Sequence, residues 1–289
     1  MFKRKLNPLR VMCWSTPPYP FTYTLIDSAP TTTLESNCPI NRKFQIVIQP
    51  YTSIKRQLRR INFGIKLTFL LPRLLLIKSS NHQVSTRMQS SVTDPSGLAE
   101  LFVKHGSDKA TMHDYWLIYG EELALLSDDK PKVLEIGLGT NNPEIPSNMG
   151  GHFNPGGSIR AFKEFLPKAQ IYGADIDREI LFNEDRIETC WVDQTQEKAF
   201  SELYSLIKDQ SLDVIIIDGL HQPYADLLSV FQLIKFLKIK GSIFVEDIED
   251  SPPVRTIWFL VSVILRIKGF KSKLFEMKGG LMFWIQRVD

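Results

Sequence analysis

The pattern of apolar and polar positions becomes regular from about residue 96 onward in this chain of 289 residues. Short apolar runs alternate there with longer segments in which apolar residues recur at helical spacing. The run at residues 212–218 is dominated by β-branched residues, as expected of a strand buried on both faces of a sheet. This alternation of strands and helices predicts a parallel sheet with helices packed on both sides.

The pattern predicts seven strands and the helices that connect them. The predicted strands cover residues 132–136, 170–174, 187–192, 212–218, 242–246, 272–277 and 281–287. The last two strands are joined through Gly279 and Gly280, which favours an antiparallel hairpin. The predicted fold class is therefore α/β: a doubly wound, mostly parallel, Rossmann-like sheet of seven strands with an antiparallel C-terminal hairpin.

Residues 1–90 lack this regularity and differ from the rest of the chain in charge. They carry 14 lysines and arginines against only Asp27 and Glu35, a net charge of +12, whereas residues 91–289 hold 21 basic and 30 acidic residues, a net charge of −9. We therefore expect a basic, poorly ordered or partly helical arm over residues 1–90 and a folded domain over residues 91–289.

Residues 61–77 are the most apolar part of this arm. Lys66, Pro72 and Arg73 interrupt the run, which falls short of the roughly 20 apolar residues that a membrane-spanning helix needs. Two interpretations stay open. Residues 55–78 form a basic segment in peripheral contact with an anionic membrane, or this part of the chain packs on the domain or stays loosely ordered.

The cysteines indicate the expected location. Cys13, Cys38 and Cys190 are scattered and odd in number, which favours neither a disulfide framework nor a zinc site. Residues 1–20 contain no clean apolar stretch of the kind a signal peptide requires. A reducing, cytoplasmic location is therefore expected, with membrane-peripheral attachment as the alternative.

The most informative motif follows the first predicted strand. That strand ends in Gly137 and Gly139, and the next strand ends at Asp175. Glycines in such a turn let a ligand approach the backbone, and an acid in this place accepts hydrogen bonds from ribose hydroxyls. The third glycine of a dinucleotide loop and the Gly-Lys-Ser/Thr loop are both missing. The motif therefore favours a nucleoside without phosphates, such as S-adenosylmethionine.

Five consecutive predicted strands end in glycine or an acid. These ends carry Gly137, Asp175, Asp193, Asp218 and the pair Glu246 and Asp247. Ligands of open parallel sheets bind beyond the carboxyl ends of the strands. A single acid in this place often only caps a turn, but the series predicts a binding site along one edge of the sheet.

The series resembles the class I S-adenosylmethionine-dependent methyltransferases over about residues 96–289. The resemblance implies a set of cofactor-binding residues: Glu135, Gly137 and Gly139 in the loop, Asp175 at the ribose and Asp193 by the adenine. Asp177 is the alternative to Asp175 at the ribose.

A finer resemblance is to the metal-dependent sugar O-methyltransferases of macrolide biosynthesis. It is carried by four motifs: His105 to Lys109, Pro155 to Arg160, Asp218 to His221, and Glu246 to Ile248. The resemblance implies that Asp218 and Asp247 bind a divalent metal, Mg²⁺, and that His221 is the general base. His105 to Lys109 would either fold over the cofactor's carboxylate or form an ordinary loop beside a helix.

The chemistry of these residue types supports the same function. A sugar hydroxyl is a poor nucleophile, and a divalent ion held by carboxylates stabilises the alkoxide that forms from it. A histidine titrates in the range needed to accept the proton, although His221 would otherwise merely cap the helix that follows. We therefore expect S-adenosylmethionine-dependent methyl transfer to a hydroxyl of a small molecule, a sugar or glycosylated metabolite.

The alternative belongs to a different class. It is a nucleoside-binding Rossmann-like protein, non-catalytic or with another reaction, held at a membrane by its basic arm. Nucleic acid is not expected as a partner, because the positive charge is confined to the arm and a base-stacking Pro-Pro-Tyr motif is missing. The apolar stripe of the predicted helix at residues 254–266 is assigned to the core, with an acceptor-pocket wall or the contact of a homo-oligomer as the lesser alternatives.

Overall fold

The computed structural model describes residues 62, 64, 66–73, 96–124, 126, 130–151, 153–208 and 211–288. All of them belong to the second of the two units into which the chain divides, residues 56–289. Most of the predicted arm lies outside the described residues.

The described residues form one sheet with helices on both faces. The helices are α1 (Ser96–His105), α2 (Trp116–Ala124), α3 (Gly157–Phe165), α4 (Ser201–Ile207), α5 (Pro223–Leu233) and α6 (Pro252–Ile267). The strands are β1 (Lys132–Ile136), β2 (Gln170–Asp175), β3 (Asn183–Glu184), β4 (Ile187–Trp191), β5 (Leu212–Ile217), β6 (Leu237–Ile248), β7 (Phe270–Met277) and β8 (Gly280–Arg287).

The order of the strands across the sheet is β3-β4-β2-β1-β5-β6-β8-β7. The five strands from β4 to β6 are parallel, and β3, β8 and β7 join them antiparallel. The predicted fold class is confirmed, and all seven predicted strands are present. Within the described residues an eighth strand, the two-residue β3, is added at one edge.

Strand β6 is longer than predicted. It begins at Leu237, whereas the apolar pattern predicted a start at residue 242. Lys238, Lys240 and Gly241 interrupt that pattern and hide the first half of the strand. The pairing with β5 shifts register between Leu212 and Val214, which accommodates the irregular segment.

The core lies in two layers, one on each face of the sheet. Strand β5 contributes side chains to both core layers. Val214 and Ile216 belong to one layer, while Leu212, Ile215 and Ile217 belong to the other. Successive side chains of a strand point to opposite faces, so a continuous apolar run is what a central strand requires. Helices α1 to α3 cover one face, and α4 to α6 cover the other.

Residues 66–73 are helical and pack on α5. Leu67 and Leu70 are buried in the core layer on that face. The Arg73 guanidinium pairs with both carboxylate oxygens of Glu197, at 2.7 and 3.0 Å, and lies 4.6 Å from the centroid of the Phe231 ring. This part of the predicted arm therefore packs on the domain. Among the described helices, none has both the length and the apolarity needed to cross a bilayer.

Gly137 provides a test of how tightly the loops after β1 and β5 pack. Its φ is 95°, and a Cβ there would lie 1.8 Å from the backbone oxygen of Asp218. Gly151 has a similar φ of 81°, but a Cβ there meets nothing within 4 Å. We expect Gly137→Ala to lower the free energy of unfolding by about 4 kcal/mol and Gly151→Ala by only about 1 kcal/mol, as measured by urea denaturation. Equal losses would contradict the close packing.

Candidate active site

Two adjoining cavities open at the carboxyl ends of the parallel strands. The first is lined by the loop after β1 and by Asp175 and Asp193. The second is lined by His221 and Asp247 together with residues 107–109. The two cavities share Gly137, Gly139, Ser147 and Asp218. Residues at the strand ends, which were predicted to form one binding site, therefore line two neighbouring cavities.

Gly137 and Gly139 are needed in the loop after β1 because other protein atoms lie where a Cβ would be. The face of Gly137 that lacks a Cβ meets the backbone of Asp218 and Gly219. Gly139 has a φ of 76°, and its Cβ would lie 2.3 Å from Cε of Met149. The glycines thus let the loop after β1 approach its protein neighbours closely, and this contact forms the wall between the two cavities.

Asp175 faces the first cavity and also holds its loop. Its Oδ2 accepts a hydrogen bond from the backbone N–H of Leu138 at 2.6 Å, and its Oδ1 accepts from that of Asp177 at 2.8 Å. Burial raises the pKa of the Asp175 carboxyl. The alternative acid, Asp177, accepts a hydrogen bond from Thr140 Oγ1 at 2.5 Å and another from the backbone N–H of Glu179. Of the two acids, Asp175 is the one that lines the cavity.

Asp193 and its neighbour Gln194 shape the far wall of this cavity. Asp193 accepts hydrogen bonds from the N–H and Oγ1 of Thr195, at 2.8 and 2.7 Å, and so stabilises its own turn. Gln194 accepts from the N–H of Leu220 at 2.8 Å and donates to Ser229 at 3.1 Å. Gln194 thereby holds the loop after β5, a role that its polar character alone did not reveal.

Glu135 lies beneath the loop rather than in it. Its side chain is fully buried, and it lines neither cavity. Ser158 Oγ donates a hydrogen bond to Glu135 Oε2 at 2.5 Å. Gly156 is the N-cap residue of α3, so the Ser158 hydroxyl is free to stabilise this carboxylate. Glu135 therefore supports the site from below.

Lys109 is buried among three carboxylates. Its Nζ lies 2.5 Å from Asp218 Oδ2, 2.7 Å from Glu246 Oε2 and 3.2 Å from Glu135 Oε1, and the residue is 1% exposed. The hydroxyl of Tyr119 donates a hydrogen bond to the other oxygen of Glu246. The burial of Lys109 among carboxylates was not predicted for residues 105–109 from the sequence.

The charge of this cluster is not balanced. Burial alone would lower the pKa of Lys109, but the surrounding carboxylates raise it well above its usual value, so the ammonium keeps its charge. Burial, reinforced by neighbouring carboxylates, raises the pKa of Glu135 to about 7 and also raises those of Asp218 and Glu246. One ammonium faces three carboxylates, so the cluster favours uptake of a proton or a further cation.

Asp218, His221 and Asp247 surround a space above this cluster. His221 Nε2 lies 4.0 Å from Asp218 Oδ1 and 3.9 Å from Asp247 Oδ2, and one atom of each residue lies within 4.8 Å of the others. The Tyr115 hydroxyl donates a hydrogen bond to Asp247 Oδ1, and His113 Nδ1 lies 3.5 Å from the same oxygen. Each carboxylate thus has one oxygen held by the protein and one directed to the space.

Two of these residues, His221 and Asp247, have strained backbone conformations. His221 and Asp247 have φ angles of 52° and 49°, values that non-glycine residues rarely adopt and that recur at functional sites. His221 does not cap α5, because the helix begins at Pro223 with Gln222 as its N-cap residue. Nδ1 of His221 is buried without a hydrogen-bond partner among the described residues. Two carboxylate oxygens beside an imidazole fit a divalent cation.

Comparison with curated proteins identifies relatives over about half of the chain. The chain is 31% identical over 161 residues to the 8-demethyl-8-alpha-L-rhamnosyl tetracenomycin-C 2'-O-methyltransferase of Streptomyces olivaceus. The aligned region covers 55% of this chain and 39% of that protein. It is 28% identical over 154 residues to the mycinamicin VI 2''-O-methyltransferase of Micromonospora griseorubida, which covers 52% and 35%. The chain spans less than half the length of the curated relatives that it matches, between 32% and 42%. No protein-family model matches it.

Comparison with solved structures establishes the fold. The MycE methyltransferase from the mycinamycin biosynthetic pathway, solved in complex with Mg and SAH, superposes with a TM-score of 0.53 at 22% identity, over 66% of this chain and 55% of that one. The chain therefore has the Rossmann-like fold of the methyltransferases. Its predicted resemblance to the macrolide sugar O-methyltransferases is confirmed by these similarities.

Glu135 predicts a stability that depends on pH. Its folded pKa of about 7 lies above the ordinary 4.5, so in this interval the folded protein binds a proton that the unfolded chain does not. Stability must then decrease as the pH rises through this interval. In EDTA, we expect the deprotonation of Glu135 to lower the free energy of unfolding by up to about 3 kcal/mol as the pH rises from about 5 to about 8.

Urea denaturation at a series of pH values checks this prediction. Glu135→Gln should remove the share of the slope that Glu135 contributes and leave that of Asp218 and Glu246, whose pKa values are also raised. Glu144→Gln, at an exposed glutamate, should keep the full wild-type slope. A slope in Glu135→Gln equal to that of wild type would show that Glu135 does not titrate in this interval.

Proposed function

We propose that this protein is an S-adenosylmethionine-dependent O-methyltransferase that acts on a hydroxyl of a small molecule, a sugar or glycosylated metabolite. The observation that carries the proposal is the pair of adjoining cavities that share Asp218. One has the glycine loop and acids suited to a nucleoside, and the other has the carboxylates and the histidine suited to a metal-bound hydroxyl.

The relatives support the same chemistry. Two of them are named as O-methyltransferases of rhamnosyl tetracenomycin-C, and one MycE structure contains Mg, SAH and mycinamycin VI. Because this chain spans less than half of each curated relative, the acceptor is proposed only as a class. A glycosylated metabolite is the class that the two rhamnosyl names indicate.

The first cavity would hold the cofactor. Gly137 and Gly139 would present backbone to it, Asp175 would accept hydrogen bonds from the ribose hydroxyls, and Asp193 would lie by the adenine. Each oxygen of Asp175 already accepts one backbone hydrogen bond. A carboxylate oxygen has two acceptor sites, so Asp175 can hold the loop and the ribose at the same time. Glu135 would act on this cavity only through the loop above it.

The second cavity would hold the acceptor hydroxyl. Asp218 and Asp247 would bind the divalent ion, Mg²⁺, which when bound lowers the pKa of a coordinated hydroxyl. His221 Nε2 would accept the hydroxyl proton. The imidazolium that results would lie about 4 Å from two carboxylate oxygens, which would stabilise its charge.

The transfer itself is a substitution at the methyl carbon. The acceptor oxygen forms the new C–O bond while the C–S bond breaks, and the sulfonium leaves as the neutral thioether of S-adenosylhomocysteine. The sulfonium methyl is already a good electrophile. The contribution of the protein is therefore to align the oxygen, carbon and sulfur across the boundary between the two cavities.

We further propose a surface contact for the enzyme. Phe69 on the helical residues 66–73 is 73% exposed, and Phe259 and Ile267 on α6 are 66% and 69% exposed. A contiguous patch of exposed apolar side chains marks an interaction surface, and these three side chains are candidates for such a patch. The expected membrane-peripheral contact through residues 55–78 and a homo-oligomer are tested by vesicle cosedimentation and by analytical ultracentrifugation.

Calorimetry and turnover assays test the proposed function together. We expect wild type to bind S-adenosylmethionine and Mg²⁺ and to form S-adenosylhomocysteine with simple α-L-rhamnosides in a glycoside panel. Asp218→Asn should retain cofactor binding within about threefold but lose metal-dependent turnover. Asp185→Asn, at an exposed aspartate, is the matched control and should behave as wild type. Turnover that persists in EDTA would remove the metal from the mechanism.

His221→Asn separates two roles for the histidine. As the general base, His221 contributes about 10² to 10⁴-fold to the rate, so the variant should lose that factor in kcat while cofactor and metal affinity persist. A parallel loss of metal affinity would instead make His221 a metal ligand.

A further inference from the structure

A second group of metal-type ligands lies directly beneath the first. One oxygen from each of Glu135, Asp218 and Glu246 lies within 4.8 Å of the others. Such a group of buried carboxylates is an arrangement that a hard cation accepts. Here the ammonium of Lys109 occupies it, with two hydrogen bonds, to Asp218 and Glu246, and an ion pair to Glu135 at 3.2 Å.

Asp218 belongs to both groups. Its Oδ2 lies 2.5 Å from Lys109 Nζ, while its Oδ1 faces His221 and the upper space. Glu246 and Asp247 are neighbours on β6, but their side chains belong to different groups. The Glu246 carboxylate contacts Lys109 and Tyr119 in the lower group, whereas Asp247 Oδ2 faces His221 in the upper space. The lower group therefore sets where Asp218 lies.

The segment that carries Lys109 is itself fixed. Residues 108–110 form a 3₁₀ turn whose start is capped by the hydroxyl of Ser107. The residue before the cap, Gly106, accepts a hydrogen bond from Asn154 N–H at 2.9 Å. Lys109 is thus delivered to the cluster by ordered backbone, and its three N–H donors face three carboxylates. An ammonium so engaged is suited to positioning its carboxylate partners.

We propose that Lys109 is a built-in cation that fills the lower site, so that the protein takes up a single divalent ion, at Asp218 and Asp247. Lys109 is then a positioning residue for Asp218. The inference rests on the proposed metal-dependent function and extends it. Without the ammonium, three carboxylates would share a buried site with no compensating charge, and a second divalent ion would be the cation that replaces it.

Manganese titration tests the proposal without reference to activity. Lys109→Met keeps the length of the side chain and removes its charge. By isothermal titration calorimetry and electron paramagnetic resonance, we expect wild type to bind one Mn²⁺ per chain and Lys109→Met to bind two. Lys198→Met, at an exposed lysine, is the matched control and should bind one. A Lys109→Met protein that binds one Mn²⁺ with wild-type affinity would overturn the proposal.

A second variant keeps the test decisive if Lys109→Met does not fold in EDTA. Adding Glu246→Gln removes one of the three uncompensated charges and should restore the fold. This double variant should bind Mn²⁺ at least about tenfold more weakly than wild type, because Asp218 has lost its partner. Unchanged affinity would overturn the positioning role alone. Absence of Mn²⁺ binding by wild type would instead overturn the metal-dependent function, and this inference with it.

Discussion

The ion cluster around Lys109 is the interaction on which the rest of the site depends. Its carboxylates come from the central strands β1, β5 and β6, and its ammonium comes from the segment before α2. A buried carboxylate without a partner is costly, and three in contact are more so. The carboxylate of Asp218, which would bind a metal, can therefore keep its place only while this cluster is satisfied. The ammonium of Lys109 and the hydroxyl of Tyr119 provide the donors that these carboxylates need.

The parallel sheet explains why two kinds of ligand meet at one edge. Strands β1 and β5 lie side by side, and the chain leaves them toward opposite faces, so a crevice opens between their loops. Gly137 allows those loops to touch, and Gln194 holds the loop after β5 from the other side. A proposed nucleoside compartment and a proposed metal compartment thus share a wall, a geometry suited to transfer of a one-carbon group between them.

Much of the fold and part of the site could be predicted from local pattern. Apolar runs marked the strands, and the acids after them marked the edge where ligands bind, because the ends of parallel strands must meet there. The resemblance to the methyltransferases assigned Glu135 to the cofactor loop, whereas the structure buries it below that loop. Alternation within a strand decides which face a residue takes, and in a central strand both faces are buried, so a polar residue there gives no sign of its direction.

The order of helices and strands, the glycine loop and the series of strand-end acids can be predicted from the chain alone, since each follows from spacing along a short stretch. The contact of Lys109 with Glu246, 137 residues away, arises only when the chain folds, as do the hydrogen bonds of Tyr115 and Tyr119 to Asp247 and Glu246. Contacts of this kind leave no periodic trace in the chain. They exist because folding removes water from several charged groups at once, and those groups must then find their partners in one another.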